Sequence, residues 1–443
     1  MSMVLPYRLL ASATALLLVV GSAVHGQLHA ADPADWVAAH VDEVVALYRD
    51  LHQHPELSFQ EEQTAARLAK ELQAVGADVA TDVGGHGVVG ILTNGEGLSL
   101  MLRADMDALP VVEQTGLVYS SQVRVPGEAA GEVGVMHACG HDVHMSNLIG
   151  VARYLADHKS DWRGTVMFVC QPAEERGAGA RAMLDDGLFE RFSKPDFALA
   201  LHVDSSMPTG QLGYRAGYAL ANVDSVDITM IGRGGHGAYP HATIDPIVQA
   251  AQLVLQLQTI VSREVSPTDP AVITVGSIHG GAKHNVIGDE CHLQITVRSY
   301  KDEVREHLLD AIARKAKAVA IGARAEEPKI EISEGTPAMF NDEELVARVL
   351  PSLRRAVGEE NVVPVEPVMG GEDFSHYGRA GVPAFMFRLG SVDEERLAGY
   401  ERIGQQPPSL HSAVYYPDIE DTLRTGITAL TTAALDLLGS SEQ

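Results

Sequence analysis

The chain has 443 residues, 46% of them apolar and 21% charged, which is ordinary for a globular protein and enough for more than one hydrophobic core. Its formal net charge of −26 argues against a nucleic-acid ligand or an anionic membrane surface, since both need clustered Lys and Arg. Three cysteines, Cys139, Cys170 and Cys291, leave one over in any disulfide pairing, so at least one thiol needs another explanation.

The chain opens with Arg8, an apolar run over residues 9–24 and small residues beyond it, the layout of a secretory signal peptide over residues 1–30. Residues 24–26 and 28–30 are both imperfect cleavage sites, and the expectation is an exported protein, periplasmic or secreted. No later stretch is long enough to cross a bilayer. Residues 35–51 place Val37, Val41, Val44, Val45, Tyr48 and Leu51 on one helical face, and a second amphipathic helix runs from about Glu61 to Gly76. Apolar runs of strand length follow at 88–92, 98–102, 166–170, 197–201 and 384–387, with helical segments such as 143–156 between them. They are continuous rather than alternating, as strands buried on both faces are, which predicts an α/β domain with a mixed, mostly parallel sheet flanked by helices.

The middle of the chain has a different order. Strands are predicted over 223–231, 271–278, 292–298 and 329–333, with helices over 245–263 and 301–321, the first of them offering Ile247, Ala251, Val254, Leu255 and Leu257 as apolar positions. β-α-β-β-α-β is the split arrangement of a small ferredoxin-like α+β module. Residues 219–331 are therefore read as an insertion into an α/β domain formed by 32–218 and 332–443.

Several polar residues each close an apolar run: Asp105, the pair Glu174 and Glu175, and His202. In an open parallel sheet the carboxyl ends of the strands form the ligand crevice, so these residues would converge there. Cys139, His141, Glu175, His202 and His411 supply thiolate, imidazole and carboxylate, all three kinds of ligand that zinc-like cations take. Five ligands exceed one tetrahedral ion and suit two ions sharing a bridge. Glu174, beside a ligand but not itself one, is the natural general base. Asp105 and Asp107 also suit a helix cap or a turn.

Seven motifs, in order, carry a resemblance: Arg103-Ala-Asp-Met-Asp-Ala-Leu-Pro110, Met136-His-Ala-Cys-Gly-His-Asp142, Gln171-Pro-Ala-Glu-Glu175, Leu201-His202, Gly234-Gly-His-Gly-Ala-Tyr-Pro-His241, Gly370-Gly-Glu-Asp-Phe-Ser375 and Leu410-His-Ser412. The chain resembles the metal-dependent amidohydrolases of peptidase family M20, in the subgroup of hippurate hydrolases, N-acyl-amino-acid amidohydrolases and auxin-conjugate hydrolases. The resemblance implies hydrolysis of the amide of N-acyl, N-aroyl or N-acetyl amino acids, with a dipeptidase or N-deacetylase of the same family as the alternative. It implies that Cys139, His141, Glu175, His202 and His411 bind two divalent ions, zinc or manganese foremost and cobalt or nickel as alternatives. It further implies Glu174 as general acid/base, Asp105 behind a ligand, Asn285 and Arg298 on the substrate carboxylate, and Gly370 and Gly371 lining the pocket. In the family the inserted domain builds a homodimer or higher homo-oligomer, and His236 matches a histidine that stabilises the oxyanion in the partner's active site. Two positions depart from the family pattern: Gly237, where Ala is usual, and Gly288, where Pro is usual.

Overall fold

A computed structural model describes residues 1–3, 32–127 and 131–439. The signal-peptide expectation falls almost wholly outside the described residues. Among these, all three cysteines are unpaired and no helix is long and apolar enough to cross a membrane.

The larger sheet has eight strands in the spatial order Asp78–Val83, Gly87–Asn94, Gly164–Gln171, Ser99–Asp105, Phe197–Pro208, Ala384–Val392, Leu212–Tyr214 and Val362–Pro364. Its four central strands, Gly164–Gln171 through Ala384–Val392, are mutually parallel, whereas Gly87–Asn94 and Leu212–Tyr214 pair with them antiparallel. This is the mixed, mostly parallel sheet that the sequence predicts. The central strands are continuously apolar because both faces are covered. Leu100, Leu102, Val166, Phe168 and Cys170 pack with the long helices Pro33–Gln53, His141–Asp157 and Ile419–Leu438. The alternate residues Met101, Met167 and Val169 pack with the short helices Gly179–Asp185 and Leu188–Phe192. The period of two is thus present, with apolar residues demanded at both phases.

A second, four-stranded antiparallel sheet has the order Ala271–Gly280, Glu290–Ser299, Asn222–Ile231, Lys329–Glu334, with helices Pro246–Arg263 and Asp302–Ala323 packed on it around a separate core. This is the ferredoxin-like unit. Its Cys291 is apolar filling of that core, as Cys170 is of the larger one.

Two expectations need correction. The strand carrying His202 does not end there: it continues to Pro208, with His202 opposite Arg388 in the parallel ladder, because Val203, Ser205 and Met207 stay buried after the apolar run stops. Helix Pro246–Arg263 buries Ala250, Leu253, Leu257 and Ile260 against the small sheet, and leaves Ile247, Val248 and Leu255 exposed, up to 71% for Leu255. Of the positions offered from the sequence only Leu257 is fully buried and Val254 packs at the edge of the core; the window holds two apolar stripes, and tertiary packing uses the other.

The first helix is fastened to the helix His141–Asp157 by a buried ion cluster. His52 Nδ1 lies 2.7 Å from Asp142 Oδ2, and His52 Nε2 lies 3.2 Å from Glu113 Oε1. Burial alone would lower the His52 pKa, but its bonds to Asp142 and then Glu113 outweigh burial and hold it at about 9. A folded-state pKa raised above that of the unfolded chain gives stability that is complete below about pH 6.5 and fades as pH climbs towards 9. His52→Ala leaves two buried carboxylates without their cation and should cost about 3–5 kcal/mol of unfolding free energy at neutral pH. The difference in melting temperature between wild type and variant, followed from pH 6 to 10, should shrink as alkali is approached.

Candidate metal and catalytic site

Asp107 organises the centre. The strand Ser99–Asp105 ends at Asp105, and two residues on, Asp107 accepts the backbone N–H of Glu174 on Oδ1 and that of Glu175 on Oδ2, both at 3.0 Å. Ser58 donates to the same carboxylate at 2.6 Å, and the Asp107 main-chain carbonyl accepts from His141 Nδ1 at 2.7 Å. The Glu pair lies on a single 3₁₀ turn, Glu174–Arg176, directly after Ala173, whose φ of +51° is a left-handed conformation rare for alanine. Buried Glu61 holds that strained residue by accepting the Ala173 N–H at 2.8 Å. One residue, Asp107, therefore fixes the glutamates through its carboxylate and a histidine through its carbonyl, and Glu61 fixes the approach to them.

Cys139 and His141 flank Gly140 at the start of the helix His141–Asp157. Gly140 has φ +78°, and a side chain there would meet Val203 Cγ2 at 2.6 Å, so this junction requires glycine. His411 arrives from the far end of the chain on a loop tied by its N–H to the Ala138 carbonyl at 2.8 Å, itself in a left-handed conformation.

The five ligands predicted from sequence are brought together. Cys139, His141 and His202 place one donor atom each within 4.8 Å of one another, and so do Cys139, Glu175 and His411, with Cys139 common to both groups. Cys139 Sγ is 3.7 Å from His202 Nε2 and 3.3 Å from His411 Nε2, while His411 Nε2 is 3.4 Å from Glu175 Oε1. Both His141 and His202 give their Nδ1 proton to a backbone carbonyl, of Asp107 and Val203 respectively. That tautomer turns each Nε2 lone pair inward. His141 Nε2 and Glu175 Oε1 are buried, lack a hydrogen-bond partner in the protein, and lie 3.9 Å apart. Buried polar atoms without partners, thiol, imidazole and carboxylate converging on one point, fit divalent cations.

Burial and neighbouring charge move these groups in different directions: burial would lower His141, but Asp105, then the bond to Asp107, raise it well above the ordinary imidazole range. Burial, then Glu175, pushes the Cys139 thiol well up. Burial, then the carboxylates of Glu372, Asp373 and Glu175, pushes Glu174 well above the ordinary carboxylate range. Burial also drives His202 well down, towards the neutral form that binds metal. The acids around Glu174 are held by Arg103, 1% exposed, which reaches Asp105 at 2.8 Å, Asp373 at 2.9 Å and Glu372 at 3.0 Å.

Asp105 accepts from His144 Nδ1 at 2.6 Å, and His144 Nε2 accepts the Val203 N–H at 2.9 Å. Asp105 therefore steadies the strand beside His202, and lies 3.6 Å from His141; the group that orients His141 is Asp107. A cavity of about 610 Å³ opens between the donor cluster and the small sheet, lined among others by Glu174, Arg215, Arg298, Gly370, Gly371 and Arg388. Gly371 permits close packing, since a side chain would meet Val223 Cγ2 at 2.7 Å. Arg298 reaches the cavity from the small sheet, steadied by the Met369 carbonyl at 2.6 Å.

His236 and Asn285 are not in this cavity. They lie together on the two-stranded ladder Gly235–His236 with Val286–Ile287, where the Gly237 N–H bonds to the Asn285 carbonyl at 2.9 Å. Space beside Gly288 is open, whereas a side chain at Gly237 would press on Asn285 at 3.1 Å. Glu61, Arg103 and His144 are site residues that sequence reading passed over, and Asp107 was read only as a cap or turn residue. Asp107 alone had a usable signal, its i, i+2 spacing from Asp105 beyond a buried strand.

The fold and this cluster define a metal-dependent hydrolase that cleaves amide C–N bonds. The chain belongs to peptidase family M20/M25/M40, whose pattern matches residues 101–405. It is 35% identical over 394 residues to thermostable carboxypeptidase 1 of Saccharolobus solfataricus, covering 88% of this chain and 93% of that one. It is 34% identical over 396 residues to N-acetyldiaminopimelate deacetylase of Bacillus subtilis, covering 88% and 97%. Among solved structures, a dinuclear metal-binding M20 peptidase of Bacillus subtilis superposes with a TM-score of 0.72 at 28% identity over 90% of this chain and 99% of that one.

Replacing Asp107 by Ala frees two backbone N–H groups and the turn that carries both glutamates. It should lower kcat/KM or metal affinity about 10–100-fold, read from steady-state kinetics with bound metal counted by elemental analysis.

Proposed function

We propose that the protein hydrolyses the amide of N-acyl amino acids, acetyl and aroyl derivatives included, at a two-ion centre held by Cys139, His141, Glu175, His202 and His411. The observation that carries this reading is that two three-donor groups share Cys139 and stand beside Glu174, a buried carboxyl whose proton affinity is raised but which belongs to neither group. Divalent ions held there would supply Lewis acidity to the scissile carbonyl and to the attacking water. Glu174 takes the proton of that water and returns it to the departing amine, a role that suits a carboxyl raised above its ordinary range. Arg298, facing the same cavity, offers a two-pronged donor to the carboxylate of the amino acid, with Gly370 and Gly371 keeping the wall low beside it. A carboxypeptidase-like or deacetylase activity remains the second reading, favoured by the relatives named above. Zinc and manganese are the leading ions, cobalt and nickel the alternatives.

We further propose a homodimer in which His236 steadies the oxyanion at the partner's centre. In support, His236 lies exposed outside its own chain's cavity, and helix Pro246–Arg263 leaves Ile247, Val248 and Leu255 uncovered beside the edge strand Ala271–Gly280.

Glu174→Gln should retain bound metal while losing about 10²–10⁴-fold in turnover of N-acetyl and N-benzoyl amino acids, measured as free amino acid released. Chelation should abolish release by the wild type and readdition of zinc or manganese restore it; full activity of the variant, or of the chelated enzyme, would refute the scheme. In light scattering the wild type should be dimeric and Leu255→Glu largely monomeric. A mixture of inactive His236→Ala and Glu174→Gln proteins should regain activity if the sites are shared across subunits.

A further inference from the structure

The chain passes between the α/β domain and the insertion on two strands that pair with each other, Gly217–Leu220 and Met339–Asn341, with Phe340 opposite Tyr218. The two rings meet edge to face at 5.0 Å between centroids, and Tyr300, from the insertion, lies against Tyr218 at 5.8 Å. These aromatic side chains do not fill the junction. A cavity of about 450 Å³ remains there, walled by Tyr218, Phe340 and Glu343 on one side and by Thr268, Tyr300 and Val304 on the other. Phe340 stays 44% exposed although it stands where two packed units meet.

Arg215 gives this cavity its polar chemistry and its connection. It borders both the junction cavity and the one beside the donor cluster, so it stands in the wall between them. Its main-chain carbonyl is fixed by Asn341 Nδ2 at 2.8 Å. Its side chain is held far less firmly. Nε is buried without a hydrogen-bond partner among the described residues, and the ion pair with Glu366, at 3.7 Å, is to a carboxylate 95% exposed and so strongly screened. Lys301, the other cation in the wall, is already taken by Asp269 at 2.7 Å. A buried N–H lacking an acceptor, beside an uncovered aromatic ring, suits an anion that itself carries a ring.

We propose that the junction is a second ligand site, selective for a small molecule bearing both an aromatic ring and a carboxylate, and that its occupant acts on the catalytic cavity through Arg215. The ring lies among Tyr218, Tyr300 and Phe340, and the carboxylate accepts from the guanidinium. The volume is in the range that small-molecule sites occupy. The existence of the site is independent of the amidase reading; its effect on catalysis rests on it. An occupant that draws the Arg215 side chain towards the junction removes a positive charge from the cavity where an N-acyl amino acid would place its carboxylate, so substrate binding weakens while the centre itself is untouched.

The probe is phenylpropionate, titrated into the metal-loaded protein by calorimetry, with propionate and phenylpropanol as controls that lack the ring or the carboxylate. Each control should bind about tenfold more weakly or worse. Tyr300→Ala, which removes part of the aromatic wall, should weaken phenylpropionate by a similar factor. Thr268→Trp, at an exposed position on the rim, should obstruct the site and do the same without emptying any packed space. In steady-state kinetics with an N-acyl amino acid, phenylpropionate should raise the apparent KM about fivefold or more and then reach a plateau, because substrate and effector can be bound together. Equal binding of the controls, unchanged affinity in both variants, or a KM that climbs without a plateau would overturn the proposal, the last by placing the probe in the catalytic cavity. If no N-acyl amino acid is cleaved but phenylpropionate binding still falls in both variants, the site stands and the amidase reading fails.

Discussion

The centre depends on one carboxylate that touches no substrate. Two adjacent glutamates on a tight turn repel each other, and the turn begins from a strained alanine; left alone, such a segment would relax. Asp107 prevents this by accepting both of their backbone N–H groups, one on each oxygen, while its own carbonyl orients His141. The side chains of Glu174 and Glu175 are then free to diverge, one towards the cluster of donors and one alongside it. Preorganisation is paid for in the fold and not at the moment of reaction.

A second layer of buried charge sets the electrostatics. Arg103 is enclosed by Asp105, Glu372 and Asp373, so the acids near Glu174 keep a fixed counter-charge without a solvent path. Burial, opposed by Arg103 and reinforced by Glu372, still leaves Asp373 at about 7. Charge at this depth is costly unless balanced, and the unbalanced remainder is negative.

Much of this was legible in the sequence, and the limits have physical causes. The strands and helices were visible because burial on both sheet faces leaves unbroken apolar runs and amphipathic helices keep their period. The five donors were visible because thiol, imidazole and carboxylate at strand or helix ends are chemically conspicuous. Glu61 and His144 were not, since each accepts a backbone N–H distant in sequence, which no spacing encodes, and Asp107 showed only as a cap or turn residue near Asp105. His202 was placed at the end of its strand for lack of any local sign that the ladder continues. The buried stripe of helix Pro246–Arg263 was misassigned because the helix carries a second apolar stripe.

The small sheet leaves and re-enters the larger unit through neighbouring strands, Gly217–Leu220 and Met339–Asn341, which pair with each other. Topologically the whole insertion is a loop whose ends are already joined, so its length adds little closure entropy. The five clustered donor residues all lie outside this loop, at positions 139, 141, 175, 202 and 411, whereas Arg298 lies within it. The donor cluster and Arg298 are thereby carried on separable stretches of chain, so the insertion can diverge in sequence without rebuilding the cluster.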